Sequence, residues 1–260
     1  MKYDLLEGRA QYPSLKGKHV FITGGAAGIG RSLVEHFADQ QANVTFVDIN
    51  DDAAQAVIEG CVERGSSKPV YRNLDLRNVD ELERFIASSG AERGPISVLV
   101  NNAGNDDRHL LPDVTPELFD NCVSVNLKHQ VFAAKAVAPQ MKQLGGGSII
   151  NMSSITWMEA DGDCVVYVTS KAAVHGMSRA LARELGPSNI RVNSIAPGWI
   201  MTEKQVNMWL TPEGENQIDT RQTLPGRIYP PEIARMALFL ASDDSRMISK
   251  QSFIVDAGWI

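Results

Sequence analysis

The sequence is poor in cysteine, in clustered histidine, in excess positive charge and in long apolar runs. Its three cysteines, Cys61, Cys122 and Cys164, are widely spaced and form no Cys-x-x-Cys pair. That excludes a disulfide framework and fits free thiols in a reducing compartment, each read as a small core residue. The histidines His19, His36, His109, His129 and His175 form neither His-x-His nor His-Glu-x-x-His, so no metal site is expected. A formal net charge of −6 leaves no basic footprint for nucleic acid or an anionic membrane. No window reaches the length of a membrane span, and residues 1–14 lack the apolar core of a signal peptide. A cytoplasmic protein without nucleic-acid or membrane partners is expected. With no repeat and no low-complexity linker, residues 1–260 read as one domain.

What is present is a regular alternation of short apolar runs and longer amphipathic stretches, with an apolar share of 43 % to build a core. The pattern predicts strands over 19–23, 43–48, 70–73, 96–101, 148–152, 190–195 and 252–255. It predicts helices over 29–41, 51–64, 79–88, 116–144, 165–185 and 232–241. The run Ile96-Ser97-Val98-Leu99-Val100 is mostly apolar rather than alternating, as burial on both faces of a sheet demands. Repeated strand–helix order then gives an α/β fold. It is a single doubly wound domain with a seven-stranded, mostly parallel sheet and helices on both faces. Residues 199–229 show no clear period and read as a long loop beyond a strand end, a candidate substrate lid.

The first strand runs into Thr23-Gly24-Gly25-Ala26-Ala27-Gly28-Ile29-Gly30, and a helix follows at once. Glycines in such a turn let the backbone approach a pyrophosphate, and the helix start offers unpaired N–H groups to it. The second strand ends in Asp48, 18 residues after Gly30. A carboxylate there accepts bonds from both hydroxyls of an adenosine ribose and repels a 2′-phosphate. No Lys or Arg stands at 25–27 or 49–50 to offset it, so NAD is favoured over NADP.

Tyr167 and Lys171 lie one helical turn apart, on one face of the 165–185 helix. An ammonium beside a phenol favours the phenolate, so Lys171 is expected to lower Tyr167 from its ordinary value of about 10. Thirteen residues before Tyr167, Ser154 follows the strand that ends at Met152 and offers a hydroxyl to hold a substrate oxygen. His175 and Arg179 share the helical face of Lys171 and read as helix surface or subunit contact.

These motifs occur in order with Asp75-Leu76, Asn101-Asn102-Ala103-Gly104, Asn126 and Pro197-Gly198-x3-Thr202. Together they resemble the short-chain dehydrogenase/reductase superfamily along nearly the whole chain. The resemblance implies a Rossmann-like sheet and a hydride transfer with a nicotinamide cofactor. Tyr167 then takes the place of the general acid–base. Lys171 takes that of the group that binds the nicotinamide ribose, Ser154 that of the substrate anchor, and Asn126 that of the holder of a relay water. Gly24, Gly28, Ile29, Gly30, Asp48, Asn102, Ala103, Gly104, Pro197 and Gly198 are implied to line the cofactor. Asp75 and Leu76 fall at the adenine, Ile200 at the carboxamide through its backbone, and Thr202 near the diphosphate or carboxamide. A homotetramer is implied as well.

Further stretches narrow the resemblance. Tyr12-Pro13-Ser14-Leu15-Lys16-Gly17-Lys18, Asn105-Asp106-Asp107-Arg108-His109, Thr211-Pro212-Glu213-Gly214-Glu215, Gly226-Arg227-Ile228 and Asp256-Ala257-Gly258-Trp259 look like the bacterial D-xylose 1-dehydrogenases. That branch implies oxidation of an aldose at C1 to its lactone with NAD. Asn105, Trp157 and Trp199 are the expected sugar contacts, with Ser154 and Tyr167. The stretch from Glu159 to Asp163 is acidic, which suits a neutral polyol if it faces the substrate. The alternative is a secondary alcohol on a sugar acid, such as a 2-keto-3-deoxy acid, with Arg108 as the basic partner. A non-catalytic NAD-binding regulator on the same fold would be expected to lack Tyr167 or Lys171, and both are present.

Overall fold

Strand β1 (His19–Thr23) is buried along its whole length, and its side chains divide between two cores. Val20 and Ile22 join one, and Phe21 joins the other. That division explains the unbroken apolar runs, because each strand has helices on both faces. In a computed structural model that describes residues 10–159 and 162–260, the order after β1 is regular. It continues α1 (Gly28–Asp39), β2 (Asn43–Asp48), α2 (Asp51–Glu63), β3 (Val70–Asn73), α3 (Val79–Arg93) and β4 (Ile96–Asn101). Next come α4 (Pro116–Val123), α5 (His129–Gln143), β5 (Gly147–Met152), α6 (Thr156–Glu159) and α7 (Val165–Leu185). The chain closes with β6 (Ile190–Pro197), α8 (Glu203–Met208), α9 (Pro212–Arg221), α10 (Pro230–Ala241) and β7 (Ser252–Val255).

The sheet order is β3-β2-β1-β4-β5-β6-β7, and every neighbouring pair is parallel. One core gathers Leu33 and Phe37 of α1, Val57 of α2, and Ile233 and Leu238 of α10. The opposite core gathers Leu82 and Ile86 of α3, Val137 and Met141 of α5, and Ala182 and Leu185 of α7. Each buried Leu, Ile, Val, Phe or Met side chain among these contributes about 1.5–3 kcal/mol relative to exposure. The chain builds outward from β1 to β3, then crosses back to start β4 on the other side of β1. The reversal leaves a crevice at the carboxyl ends of β1 and β4, where such sheets bind ligands.

The structure departs from the sequence reading in three places. The 116–144 stretch is helical but not uniform: a π-helical turn, Ser124–Lys128, separates α4 from α5 and carries the buried Asn126. Residues 199–229 are not a plain loop, because they hold α8 and α9. Thr202 caps α8 through Gln205 N (3.2 Å), and Thr211 caps α9 through Gly214 N (3.1 Å). Both helices are too short and polar for apolar periodicity to show. α6 was not foreseen either. Residues 1–9, part of the polar N-terminal stretch, and residues 160 and 161 of the acidic run lie outside the described residues. Among the described residues no helix is long and apolar enough to cross a membrane.

Candidate active site

A cleft of about 1710 Å³ runs along the carboxyl ends of the strands. At one end lies the glycine turn. Gly24 has φ +69°, and a Cβ there would lie 2.8 Å from Ala103 Cα. A Cβ on Gly30 would fall on the carbonyl oxygen of Gly24, so that position admits no side chain. Gly28 (φ +52°) faces Thr202, whose methyl would be 3.1 Å from an added Cβ. The turn is stitched to the end of β4. Asn102 Nδ2 donates to Gly24 O (2.8 Å), and Thr23 Oγ1 accepts from Asn102 N (3.0 Å) and Ala103 N (3.2 Å).

The carboxylate of Asp48 is held by backbone N–H groups from Ala26 (2.9 Å), Ile49 (2.8 Å) and Asn50 (3.2 Å). It does not cap α2; Asn50 does, through Ala53 N (3.0 Å). Asp48 is thus fixed at the cleft edge beside the glycine turn. Asp75 and Leu76 line the same end, with Asp75 clamped by Arg77 (2.5 Å). Pro197, Gly198, Ile200 and Thr202 line the far wall, where Gly198 N donates to Val255 O (2.9 Å). A cradle that a Cβ would fill, beside a carboxylate held by amides, fits a dinucleotide.

The reacting end is built by β5, α7 and the π-helical turn. Asn126 is buried and tied to the loop after β4: its Oδ1 accepts from Asn105 N (2.9 Å), and its Nδ2 donates to Asn105 O (3.0 Å). Gly104 leaves room for Lys171, whose Nζ would be 3.0 Å from an added Cβ. Lys171 is buried, donates to Met152 O (3.1 Å) and lies 5.5 Å from the centre of the Tyr167 ring. Burial pushes its ammonium down to about 8, with Asp106 and then Cys122 opposing. The chain therefore brings Ser154, Tyr167 and Lys171 to the lining of one cleft, with Asn126 buried behind it and bound to the backbone of Asn105.

The electrostatics of Tyr167 correct the sequence reading. Burial raises the phenol above its ordinary value, and the charge of Asp106 raises it further. A hydrogen bond with Ser154, and more weakly Arg108, pulls the other way. Burial and the Asp106 charge win, so the protein by itself holds Tyr167 protonated at neutral pH.

At the substrate end, Asn105 and Trp199 line the cleft, but Trp157 does not. Its ring packs against His175 at 5.6 Å, which gives that histidine a ring partner within the chain. Trp209 and Trp259 line the cleft instead. Sequence reasoning missed them, and it also missed the charge pairing around them. Arg108 is bound to Asp163 (2.7 Å) and lies over Trp209 (5.5 Å). Arg221 of α9 is bound to Glu159 (2.9 Å) and lies over Trp259 (4.8 Å); Trp259 Nε1 also donates to Glu159. Lys204 of α8 reaches Asn105 Oδ1 (2.7 Å), Asp106 (2.9 Å) and Asp107 (3.2 Å). His109 Nε2 accepts from Val166 N (3.2 Å), tying this loop to the first turn of α7. Of the thiols, Cys61 and Cys164 are buried, but Cys164 lines the cleft and Cys122 is only half-buried, beside Asn126.

Comparison with known proteins agrees with this geometry. Residues 24–260 match the family described as Enoyl-(Acyl carrier protein) reductase. The chain is 49 % identical over 250 residues to D-xylose 1-dehydrogenase of Caulobacter vibrioides, covering 96 % of this chain and 98 % of that one. It is 43 % identical over 249 residues to the "Probable galactose dehydrogenase GalD" of Rhizobium meliloti, covering 96 % and 97 %. Among solved structures, 7α-hydroxysteroid dehydrogenase complexed with NADH and 7-oxo glycochenodeoxycholic acid is similar with a TM-score of 0.90 and 32 % identity, covering 95 % and 96 %. With a parallel seven-stranded sheet, a glycine cradle for a nicotinamide dinucleotide and these relatives, the chain belongs to the short-chain dehydrogenase/reductase family of oxidoreductases.

Proposed function

We propose that the protein oxidises the C1 hydroxyl of a neutral aldose to a lactone, with NAD as hydride acceptor. One observation carries the reading: Tyr167, Ser154 and Lys171 line the same cleft, beside a substrate region whose charges are paired. Arg108, Arg221 and Lys204 are each engaged by a carboxylate of the chain. Such a pocket offers hydroxyl-binding oxygens and aromatic faces but holds its cations away from a substrate carboxylate. The sugar-acid alternative relied on Arg108, and the pair with Asp163 weighs against it. The D-xylose and galactose enzymes among the relatives support an aldose.

In the reaction the C1–H bond breaks and its electron pair leaves as hydride. The O–H proton passes to Tyr167, and the C1=O bond of the lactone forms. When bound, the oxidised nicotinamide supplies the hydride acceptor and a positive charge that favours the phenolate. Ser154 orients the sugar oxygen, and Lys171 and the glycine turn hold the nucleotide. Asn126 holds the loop after β4, and with it the path of a relay water. Asp48 selects NAD by accepting from the ribose diol. Residues 199–229, with α8 and α9, form the substrate lid. Phe119, Val131 and Val165 are exposed on α4, α5 and α7, which supports the homotetramer; sedimentation mass checks it.

The test is a panel of neutral aldoses and deoxysugar acids with NAD and NADP, with reduced-nucleotide formation followed by absorbance. Oxidation of a pentose or hexose with NAD, and a lactone as first product, is expected. A higher kcat/KM for a sugar acid or for NADP would contradict the reading.

A further inference from the structure

Asp106 follows β4 and Lys204 lies in α8 of the lid, 98 residues later, yet their side chains meet at 2.9 Å in the cleft. The second carboxylate oxygen of Asp106 accepts from Gln205 Nε2 (2.5 Å), and Gln205 Oε1 accepts from Trp199 Nε1 (3.0 Å). Two consecutive lid residues thus grip both oxygens of one carboxylate on the opposite wall. We propose that Lys204 is a positioning residue that couples lid closure to proton abstraction, by neutralising Asp106 beside Tyr167. The inference rests on Tyr167 being the acid–base group and deepens that reading.

The charge argument has a definite sign. Asp106 is a carboxylate near the phenol, and its negative charge disfavours the phenolate. Burial also opposes the charge of Asp106, but Lys204 and Gln205 outweigh it and hold the carboxyl below its ordinary value. With α8 seated, the Lys204 ammonium balances that charge. With α8 displaced, Asp106 remains on the loop after β4 and acts on the phenol unopposed. The other groups facing Tyr167 do not change with the lid in this way. Ser154 belongs to the end of β5, and Cys164 and Lys171 belong to α7 and the residue preceding it. Arg108 also touches the lid, over Trp209 at the end of α8, but its charge is balanced by Asp163, which lies outside α8. Tyr167 therefore becomes a competent base only when the lid is closed, which confines proton abstraction to a covered substrate.

The experiment titrates tyrosinate absorbance in the NAD complex, with Tyr167→Phe as the blank that assigns the signal. Lys204→Met is expected to raise the Tyr167 midpoint by about one pH unit, and Asp106→Asn to lower it. In the Asp106→Asn background, Lys204→Met is expected to add no shift; with Asp106 present, Lys204→Arg is expected to keep the original midpoint. An unchanged midpoint in Lys204→Met, or an equal shift with and without Asp106, overturns the coupling. Turnover of the panel sugars separates the two readings. If Tyr167→Phe still turns over, the acid–base reading fails and the coupling with it. If Tyr167→Phe is dead while the Lys204→Met midpoint stays put, only the coupling fails.

Discussion

Thr156 donates twice to one atom: its backbone N–H and its hydroxyl both reach Ser154 Oγ, at 3.2 and 3.1 Å. A hydroxyl has two acceptor sites and one proton. With both acceptor sites used, the proton of Ser154 is left to donate toward Tyr167 or the substrate oxygen. Thr156→Val frees one site and lets Ser154 rotate. A loss of about tenfold in kcat/KM is expected, about the worth of one hydrogen bond, with Thr156→Ser restoring most of it. Steady-state kinetics of the three proteins checks this, and unchanged kinetics in Thr156→Val would remove Thr156 from the account.

In the proposed function Asp48 sets the nucleotide preference. Its carboxylate is fixed by three backbone N–H groups, so its position does not depend on a ligand. Asp48→Ala is expected to lower the ratio of kcat/KM for NAD over NADP by about tenfold, since the lost group both attracts a diol and repels a phosphate. A ratio that does not move would show that discrimination lies elsewhere.

Gly30 has no room for a side chain against the carbonyl of Gly24. Gly30→Ala must displace the turn, and overpacking of this kind costs about 1–3 kcal/mol. A lower thermal midpoint and weakened dinucleotide binding are expected together, whereas Gly65→Ala, at an open surface turn, is expected to leave binding unchanged. Fluorescence titration with NADH checks both.

His129 is buried at the start of α5, and burial, with Lys171 adding to it, pushes its imidazole down to about 3. In the unfolded chain the same group titrates near its ordinary value of about 6.5. Between those values the unfolded chain binds the proton and the folded one does not. Stability therefore falls as pH drops from about 6.5 toward 3, by up to about 1.4 kcal/mol per unit from this group. Urea unfolding at steps from neutral to acid pH is expected to show a shallower loss in His129→Gln than in the parent. Parallel curves would contradict it.

Much of the fold is legible because burial on both faces writes itself into strands such as β4, and because a glycine turn and an acid at the next strand end are local patterns. The tyrosine, lysine and serine are legible for the same reason: one helical turn and one strand end place them. α8 and α9 escape the apolar period, although Thr202 and Thr211, each three residues before the N–H group it caps, with Pro212 opening α9, are a readable start signal. The π-helical turn at Asn126 leaves no mark in a sequence whose neighbours are ordinary helix formers. The pairing of Asp106 with Lys204, and of Glu159 with Arg221 and Trp259, joins residues far apart along the chain, so no spacing rule reports it. The direction of Trp157 was open for a related reason. A tryptophan three residues after Ser154 can face the cleft or the neighbouring helix, and here His175 takes it.

The most direct measurement is aldose-dependent NADH formation by Tyr167→Phe, alongside its affinity for NAD. The account predicts near-normal NAD binding with turnover reduced on the order of 10²- to 10⁴-fold, the share expected of a general base. Turnover close to that of the parent protein, with NAD still bound, would contradict it.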